Sequence, residues 1–491
     1  MVAVLLGIDI GTSSTKGVLA TADGEVLATA VRPHGISMPR PGWAEHDADG
    51  VWWADVCAVS RELLAGQVSV AGVCVSGIGP CLLVTDEEGT PLRPAILYGV
   101  DTRATAEIEE LTSRYGAEAI VARGGSPLTS QAIGPKLAWL ARHEPAVWAA
   151  SRRMFMASSY AVWRLTGEYV LDHHSASQCD PMYDMAAGGW AADWARDLAG
   201  PIQLPPLRWP GSLAGTVTAR AAGQTGIPAG TPVAAGTIDA WSEAVSAGVR
   251  DPGDVMIMYG TTMFFIATAA GRPRSSRRLW CTAGAFPGTW TLAGGMATSG
   301  SVIAWGSELT GADYPLVMSE AGSVEPGADG LLVLPYFAGE RTPLFDPQAR
   351  GTIFGLTLRH GRAQLFRALL ESTAYGARHN LDTMAETGAS LDRVVAVGGG
   401  TASRVWLQIV ADVTGRAQQL PEVTIGAAYG DAYLAGLAVG AASWASWARI
   451  EDVITPDPAA TARYAELYGL YLDAYAQTAA TSHALAAIQE R

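Results

Sequence analysis

Ala3-Val4-Leu5-Leu6-Gly7-Ile8-Asp9-Ile10-Gly11-Thr12-Ser13-Ser14-Thr15-Lys16-Gly17-Val18-Leu19 opens the chain, and the rest is organised around it. The residues before Asp9 are apolar or glycine and predict a fully buried strand, and alternation resuming at Thr15 predicts a second strand running back beside it. The turn between them reads Asp-x-Gly-Thr-Ser-Ser. A glycine lets the backbone approach a ligand closely, and successive N–H groups beside three hydroxyls form a concave donor surface suited to phosphate. An aspartate at that place would repel a bare phosphate. A divalent cation resolves the conflict, because Mg²⁺ is typically held by one or two carboxylates together with phosphate oxygens. The alternative is a hairpin whose Asp and Ser side chains only satisfy their own backbone.

Working outward, Asp23-Gly24 is a turn signal and Glu25 to Val31 supplies a third strand, so the chain opens as an antiparallel meander. A Walker loop and a dinucleotide fingerprint both run from strand into helix, and neither pattern is present in that setting. Trp43 and His46 stand in a polar segment ahead of an amphipathic helix predicted from Asp49 to Leu64. Val70 to Ser76 reads as a buried strand ending at Gly77-Ile78-Gly79-Pro80, Cys81 to Val84 as another, and Pro94 to Tyr98 leads into Asp101-Thr102-Arg103. Helices are predicted over Ala104–Tyr115, from Pro135 to His143 and over Ser158–Leu165. Strands alternating with helices imply an α/β domain.

From Gly253 the opening pattern recurs. Val255 to Ala267 is again strand, Gly260-Thr261-Thr262 turn, strand, about 250 residues after the first. Two such hairpins point to a duplication, with two like domains each presenting one loop to a shared cleft. A third cluster, Gly398-Gly399-Gly400, follows the apolar run Val394 to Val397 and precedes a helix over Trp406–Val413. It is either a site of close approach for a flat or phosphorylated ligand or an ordinary strand-to-helix turn. Ala459 to Arg491 is predicted as a closing helix.

Length and composition bound the function classes. A chain of 491 residues is too long for a single core and suggests two to four domains. With 49% hydrophobic and 16% charged residues it reads as a well-buried globular enzyme rather than a disordered chain. A net charge of −14 argues against nucleic acid or an anionic membrane as partner. The five cysteines (Cys57, Cys74, Cys81, Cys179, Cys281) are scattered and odd in number, which fits a reducing cytosol. The apolar run before Asp9 is too short for a secretory or membrane segment, so a cytoplasmic location is expected.

Taken together, the residues resemble the FGGY carbohydrate kinases, an actin-like family, and most of all its xylulokinase branch. Gly7 to Lys16 resembles the first phosphate motif and Tyr259-Gly260-Thr261-Thr262 the second. Pro135-Lys136-Leu137-x-Trp139-Leu140 is similar to one family signature, and Gly339-Glu340-Arg341-Thr342-Pro343 through Leu369-Leu370-Glu371 to another. Gly398-Gly399-Gly400-x-x-Ser403-x-x-Trp406 resembles the adenosine motif and Gly426-Ala427-Ala428-x-Gly430-Asp431-Ala432 the closing stretch. The resemblance implies an α/β fold of two actin-like (ribonuclease H-like) domains with a central cleft. Residues 1–245 would form the sugar-binding side and 246–491 the ATP-binding side.

It further implies ATP and Mg²⁺ as cofactors and a small sugar or polyol as the other substrate; a homodimer is one assembly open to the chain, whose oligomeric state the sequence does not name. Asp239 falls on the catalytic base, which would take the proton of the attacking sugar hydroxyl; alternatively it caps the helix that follows. Asp9 falls near the metal and the γ-phosphate. Gly11, Thr12, Ser13, Gly260, Thr261, Thr262, Gly398, Gly399, Gly400 and Ser403 fall on nucleotide-binding positions, as does Lys16 unless it faces solvent.

Two sugar-facing segments depart from the pattern. Xylulokinases usually carry Gln-Met-His where this chain has Ile78-Gly79-Pro80, and glycerol kinases carry an Arg-Glu pair that is also missing. The usual Trp-Asn-Asp-Gly-Arg appears as Tyr98-Gly99-Val100-Asp101-Thr102-Arg103. Asp101 is then either a hydroxyl acceptor or a helix cap, and Trp43 either a flat wall for a sugar ring or a surface-packed residue. The expected acceptor is D-xylulose or a related ketose, with a tetritol, another polyol or a glycerol-like substrate as alternative. An actin-like ATPase switch is the reading from a different class, and Asp239 speaks against it.

Overall fold

Strand β1 (Val4–Ile10) is buried along nearly its whole length, as its unbroken apolar run requires of a strand covered on both faces. It pairs antiparallel with β2 (Ser14–Thr21), setting Asp9 opposite Lys16, and β2 pairs antiparallel with β3 (Val26–Pro33). On its other edge β1 runs parallel to β4 (Val70–Gly77), with Asp9 level with Ser76. Strands β5 (Leu213–Thr216) and β6 (Pro232–Ala234) complete the sheet in the order β5-β6-β4-β1-β2-β3, with β6 parallel to β4. The expected meander is therefore present, flanked by parallel strands.

Two helices cover the opposite faces of this sheet. Gly17 lies against Val59 of the helix Ala54–Leu63, whereas Gly7, which faces the other way, lies against Ala428 of the helix Ala427–Ala438. Leu6, Ile8, Ile10, Val73, Val75 and Trp52 are fully buried between these layers. Each such side chain contributes about 1.5–3 kcal/mol on burial. The helix expected from Asp49 begins differently. Asp47 accepts from the N–H groups of Asp49 and Gly50 and starts one wide turn over Ala48–Trp53, in which Trp52 N–H reaches back to the Asp47 carbonyl, before the α-helix opens at Ala54. Pro135 is the third residue of the helix Ile133–His143.

The computed structural model describes residues 3–66 and 69–489. They group into one unit of Met1–Arg250, Ala270–Thr291 and Ile425–Arg449 and another of Asp251–Ala269, Leu292–Thr424 and Ile450–Arg491. Each unit is assembled from three segments, where the sequence reading draws a single division at 245/246.

In the second unit β7 (Asp254–Tyr259) forms a hairpin with β8 (Met263–Ala269) and runs parallel to β10 (Arg393–Val397), after β9 (Trp290–Met296) has joined β8. Strands β11 (Gln418–Pro421) and β12 (Ile450–Ile454) extend the order to β9-β8-β7-β10-β11-β12. The central plan matches that of the first unit: a hairpin whose first strand has a parallel neighbour on its free edge. The recurrence in the sequence is thus a repeat in structure. Behind this sheet the helix Arg362–Glu386 packs on the helix Arg404–Thr414, and the helix Pro458–Gln489 packs on the latter. That closing helix meets the expectation as far as Gln489; Glu490 and Arg491 lie outside the described residues. Buried Glu371 accepts from Arg367 Nε at 2.7 Å and from the Tyr464 hydroxyl at 2.7 Å, tying two of these helices together.

The described cysteines are unpaired, four of them buried. Among the described residues no helix is long and apolar enough to cross a membrane.

Candidate active site

Strands β1, β4 and β6 are parallel, so their C-terminal ends share one edge of the first sheet, the edge at which ligands bind in open α/β sheets. Asp9 stands there on β1 and Ser76-Gly77 on β4, and the chain leaving β6 reaches Ile238, bridged to Gly77. Gly77 N–H donates to the Thr237 carbonyl at 3.1 Å and Ile78 N–H to the Ile10 carbonyl at 2.7 Å, which fixes the three ends together. Asp239 then opens the helix Asp239–Ser246 as its first residue, with Ile238 in the capping position, so Asp239 is not the helix cap. Its Oδ1 accepts from Ala240 N–H at 2.7 Å.

Burial and like charges dominate the electrostatics. Asp9 is held well above the usual carboxylate range, first by burial and then by the charges of Asp239, Asp431 and Glu243, with Lys16 opposing. Burial pushes Asp239 up to about 6, Glu243 up to about 7 and Asp431 up to about 7. Asp431 enters on the helix Ala427–Ala438 and accepts from Ser76 and Ser242 hydroxyls, each at 2.6 Å. Asp9 Oδ1 is buried without a hydrogen-bond partner. An orphaned carboxylate oxygen among like charges suits a cation. Among the described residues no three metal-ligating side chains are grouped as a complete cage, so a cation here would take its remaining ligands from phosphate and water, the habit of Mg²⁺.

Beside Asp9 the first turn is closed by Gly11 N–H donating to the Ser14 carbonyl at 3.0 Å. Thr12 Oγ1 and Tyr98 OH lie 3.3 Å apart, and Ser13 is exposed. Lys16 is exposed too, but it is directly opposite Asp9 in the ladder, so the two side chains share a face. Its charge reaches Asp9, Asp239 and Glu243 alike.

The sugar-facing candidates are more constrained. Asp101 is fully buried and both its oxygens are engaged, by Arg103 in a bidentate pair (2.7–3.0 Å) and by Ala44 N–H at 2.7 Å. The helix that follows is capped by Ala104, so Asp101 is not a helix cap either. The Arg103 guanidinium lies 3.9 Å from the Trp43 ring centroid, and Trp139 meets Trp43 edge to face at 5.3 Å. Pro80 is buried, and a side chain at Gly79 would begin 2.7 Å from Ile238 Cγ1, so Gly79 packs on the residue preceding Asp239. Thr237 is held from behind by Asp172, whose Oδ1 accepts its hydroxyl at 3.0 Å.

In the second unit the Gly260-Thr261-Thr262 turn receives N–H groups from the start of the helix Gly300–Thr310: Ser299 and Ser301 donate to the Thr261 carbonyl and Gly300 to that of Gly260. Gly398 has φ +91°, and a Cβ there would sit 2.5 Å from the Tyr259 carbonyl oxygen, so only glycine lets the end of β10 lie this close to the turn. Gly398 to Gly400 and Gly260 to Thr262 therefore adjoin at the C-terminal ends of the parallel strands β7 and β10. Ser403 caps the helix Arg404–Thr414, accepting from Trp406 N–H at 3.2 Å.

The sequence reading passed over Glu243, Asp431, Ser76, Asp172 and Arg103. Glu243 was detectable, since it stands four residues after Asp239 on one helix and so shares its face. Asp431 lay in the closing motif but carried no signal of where its helix packs.

The model of the FGGY family of carbohydrate kinases, N-terminal domain, matches residues 4–246, and that of its C-terminal domain matches 255–439. A xylulose kinase of Escherichia coli (strain K12) is 33% identical over 451 residues, covering 88% of this chain and 90% of that one. A glycerol kinase of Nocardia farcinica (strain IFM 10152) is 30% identical, covering 91% of each. The crystal structure of xylulose kinase from Rhodospirillum rubrum superposes with a TM-score of 0.91 at 36% identity, covering 98% of this chain and 100% of that one. The chain belongs to the FGGY family of carbohydrate kinases, and it is a sugar kinase of the two-domain actin-like fold.

Proposed function

We propose that the protein transfers the γ-phosphate of MgATP to a hydroxyl of a small ketose of the D-xylulose kind, with Asp239 as general base. The observation that carries this reading is the placing of Asp239 and Asp9 on one sheet edge beside a turn of three hydroxyls. A carboxyl pushed up to about 6 is mostly ionised at neutral pH yet accepts a proton more readily than an ordinary aspartate. In the step itself the sugar oxygen forms a bond to the γ-phosphorus, its proton passes to Asp239, and the bond to the β,γ-bridging oxygen breaks to leave ADP.

Asp9 would hold Mg²⁺, which when bound neutralises phosphate charge. Thr12, Ser13 and the N–H groups of the first turn would orient the terminal phosphate, and Lys16 would offset its charge. Residues 246–491 would take the nucleotide through Gly260, Thr261, Thr262 and Gly398 to Gly400, with Ser403 holding the helix that follows. Residues 1–245 would take the sugar. Trp43 and Asp101 would act there through Arg103, as a braced wall, because neither Asp101 oxygen is free.

The ketopentose reading follows the xylulose kinases among the relatives. A polyol or glycerol-like acceptor is the second reading, favoured by the absence of any side-chain donor or acceptor in Ile78-Gly79-Pro80. An ADP-release assay across D-xylulose, other pentuloses, hexuloses, tetritols and glycerol separates them. The highest kcat/KM is expected with a ketopentose, and a maximum on glycerol or a tetritol would replace the first reading with the second.

A further inference from the structure

His34 follows directly on β3 and clasps the first turn twice. Its backbone N–H donates to the Ser13 carbonyl at 2.9 Å, and its ring Nε2 lies 3.1 Å from the Gly11 carbonyl oxygen. The other ring nitrogen, Nδ1, lies 2.8 Å from Asp55 Oδ2 on the helix Ala54–Leu63. The imidazole is only 7% exposed. Both nitrogens thus face oxygens that can only accept, and both bonds exist together only when both nitrogens carry protons.

The one other titratable group facing this ring in the contacts described is His46, edge to face at 5.1 Å. Trp52 Nε1–H donates to His46 Nδ1 at 3.0 Å, which leaves His46 a single proton on Nε2. Burial, and then the charge of His34, hold His46 down at about 4. The neighbour therefore stays neutral and does not compete for Asp55.

We infer that His34, charged and anchored by Asp55, is a positioning residue for nucleotide binding: it holds the Gly11 and Ser13 carbonyls so that the Thr12 and Ser13 N–H groups and the hydroxyls of the turn face the phosphate. The device is a relay from a helix through an imidazolium to a backbone carbonyl, and it sets the turn before any ligand arrives. It rests on reading residues 11–13 as a phosphate site.

Two substitutions separate the two ring contacts. In His34→Gln the amide nitrogen reaches the place of Nε2 and keeps the bond to Gly11. In His34→Asn the amide nitrogen reaches only the place of Nδ1, keeping Asp55 and losing Gly11. Binding of ATP with Mg²⁺ by isothermal titration, with KM for the sugar measured alongside, is expected to weaken on the order of tenfold in His34→Asn, as for loss of a charge-assisted hydrogen bond. His34→Gln, which keeps the Gly11 bond but gives up the charge and the Asp55 contact, should weaken binding less than His34→Asn, by about threefold, and KM for the sugar should hold in both. Equal loss in the two variants, or no loss in His34→Asn, overturns the proposal.

Thr12→Ala is the control for the underlying reading. If it leaves ATP affinity unchanged, the phosphate assignment of the turn fails; if it weakens binding while His34→Asn does not, only the role of His34 fails. Should His34→Asn not fold, the wild-type protein labelled with ¹⁵N-histidine decides. Proton resonances on both His34 ring nitrogens at pH 7 are expected, and a singly protonated ring there contradicts the proposal.

Discussion

Replacing Asp239 by asparagine isolates the proton-accepting role from everything else that residue does. The amide keeps the size of the carboxyl, and its oxygen can still accept from Ala240 N–H, the 2.7 Å bond that orients the side chain. It also removes a like charge that raises the proton affinity of Asp9, so the substitution relieves the site rather than straining it. What the amide cannot do is take a proton. General-base removal typically costs about 10²–10⁴ in rate, or about 2.7–5.5 kcal/mol of barrier. With Asp239 at about 6, roughly ten in eleven molecules carry the ionised base at pH 7. Below pH 6 the wild-type kcat/KM for the sugar should therefore fall about tenfold per pH unit. The assay is ADP release coupled to a dehydrogenase over pH 5–8, with ATP binding followed by titration. Asp239→Asn is expected to bind ATP normally, turn over at least a hundredfold more slowly, and lose the acid limb. A variant within tenfold of the wild type, or one retaining the same acid limb, would refute the assignment of the base.

Asp9→Asn should weaken the apparent affinity for Mg²⁺ in turnover by tenfold or more while raising the Tm of the ligand-free protein, since a buried, repelled charge is removed; a Tm that falls would contradict the electrostatic reading. Asp431 titrates near 3.8 when unfolded and at about 7 when folded, so the unfolded state ionises first as pH rises between these values and stability drains away, levelling off above 7. Denaturation of wild type and Asp431→Asn at pH 4, 5.5 and 7.5 should thus show the wild type losing up to a few kcal/mol relative to the variant as pH rises, and parallel curves would refute it. Arg367→Met leaves Glu371 buried without its cation and should cost about 3–5 kcal/mol by chemical denaturation, where a change under 1 kcal/mol would mean the pair is dispensable.

The fold was legible where a local pattern dictates it. The strand, hydroxyl turn and returning strand at residues 4–21 and again at 254–269 announce a repeat because each hairpin closes between strands that are adjacent in the sequence. The segments Ala270–Thr291 and Ile425–Arg449, grouped with the first unit, were not legible, since nothing local in a helix such as Ala427–Ala438 says which sheet it will cover. The same limit applies to the site. Asp9 and Asp239 could be picked by residue type and motif, but the company they keep could not. Asp431 arrives from nearly 200 residues further on to bond Ser242, and its weight in the electrostatics exists only after folding. The surroundings of Asp101 and Trp43 were hidden for a related reason: that Arg103 pairs with the carboxylate two residues before it and also lies over the Trp43 indole emerges only from the fold. His34 gave no signal, because a lone histidine after a strand is ordinary until both its ring nitrogens are found against acceptors.

The most direct test is a crystal structure of the protein with the ketose that turns over fastest and a non-hydrolysable ATP analogue with Mg²⁺. The acceptor hydroxyl is expected within about 2.6–3.2 Å of an Asp239 carboxylate oxygen, pointing at the terminal phosphate, with the metal on the Asp9 side. A sugar whose phosphorylated hydroxyl faces another group, with Asp239 bonded only to its own helix, would contradict it.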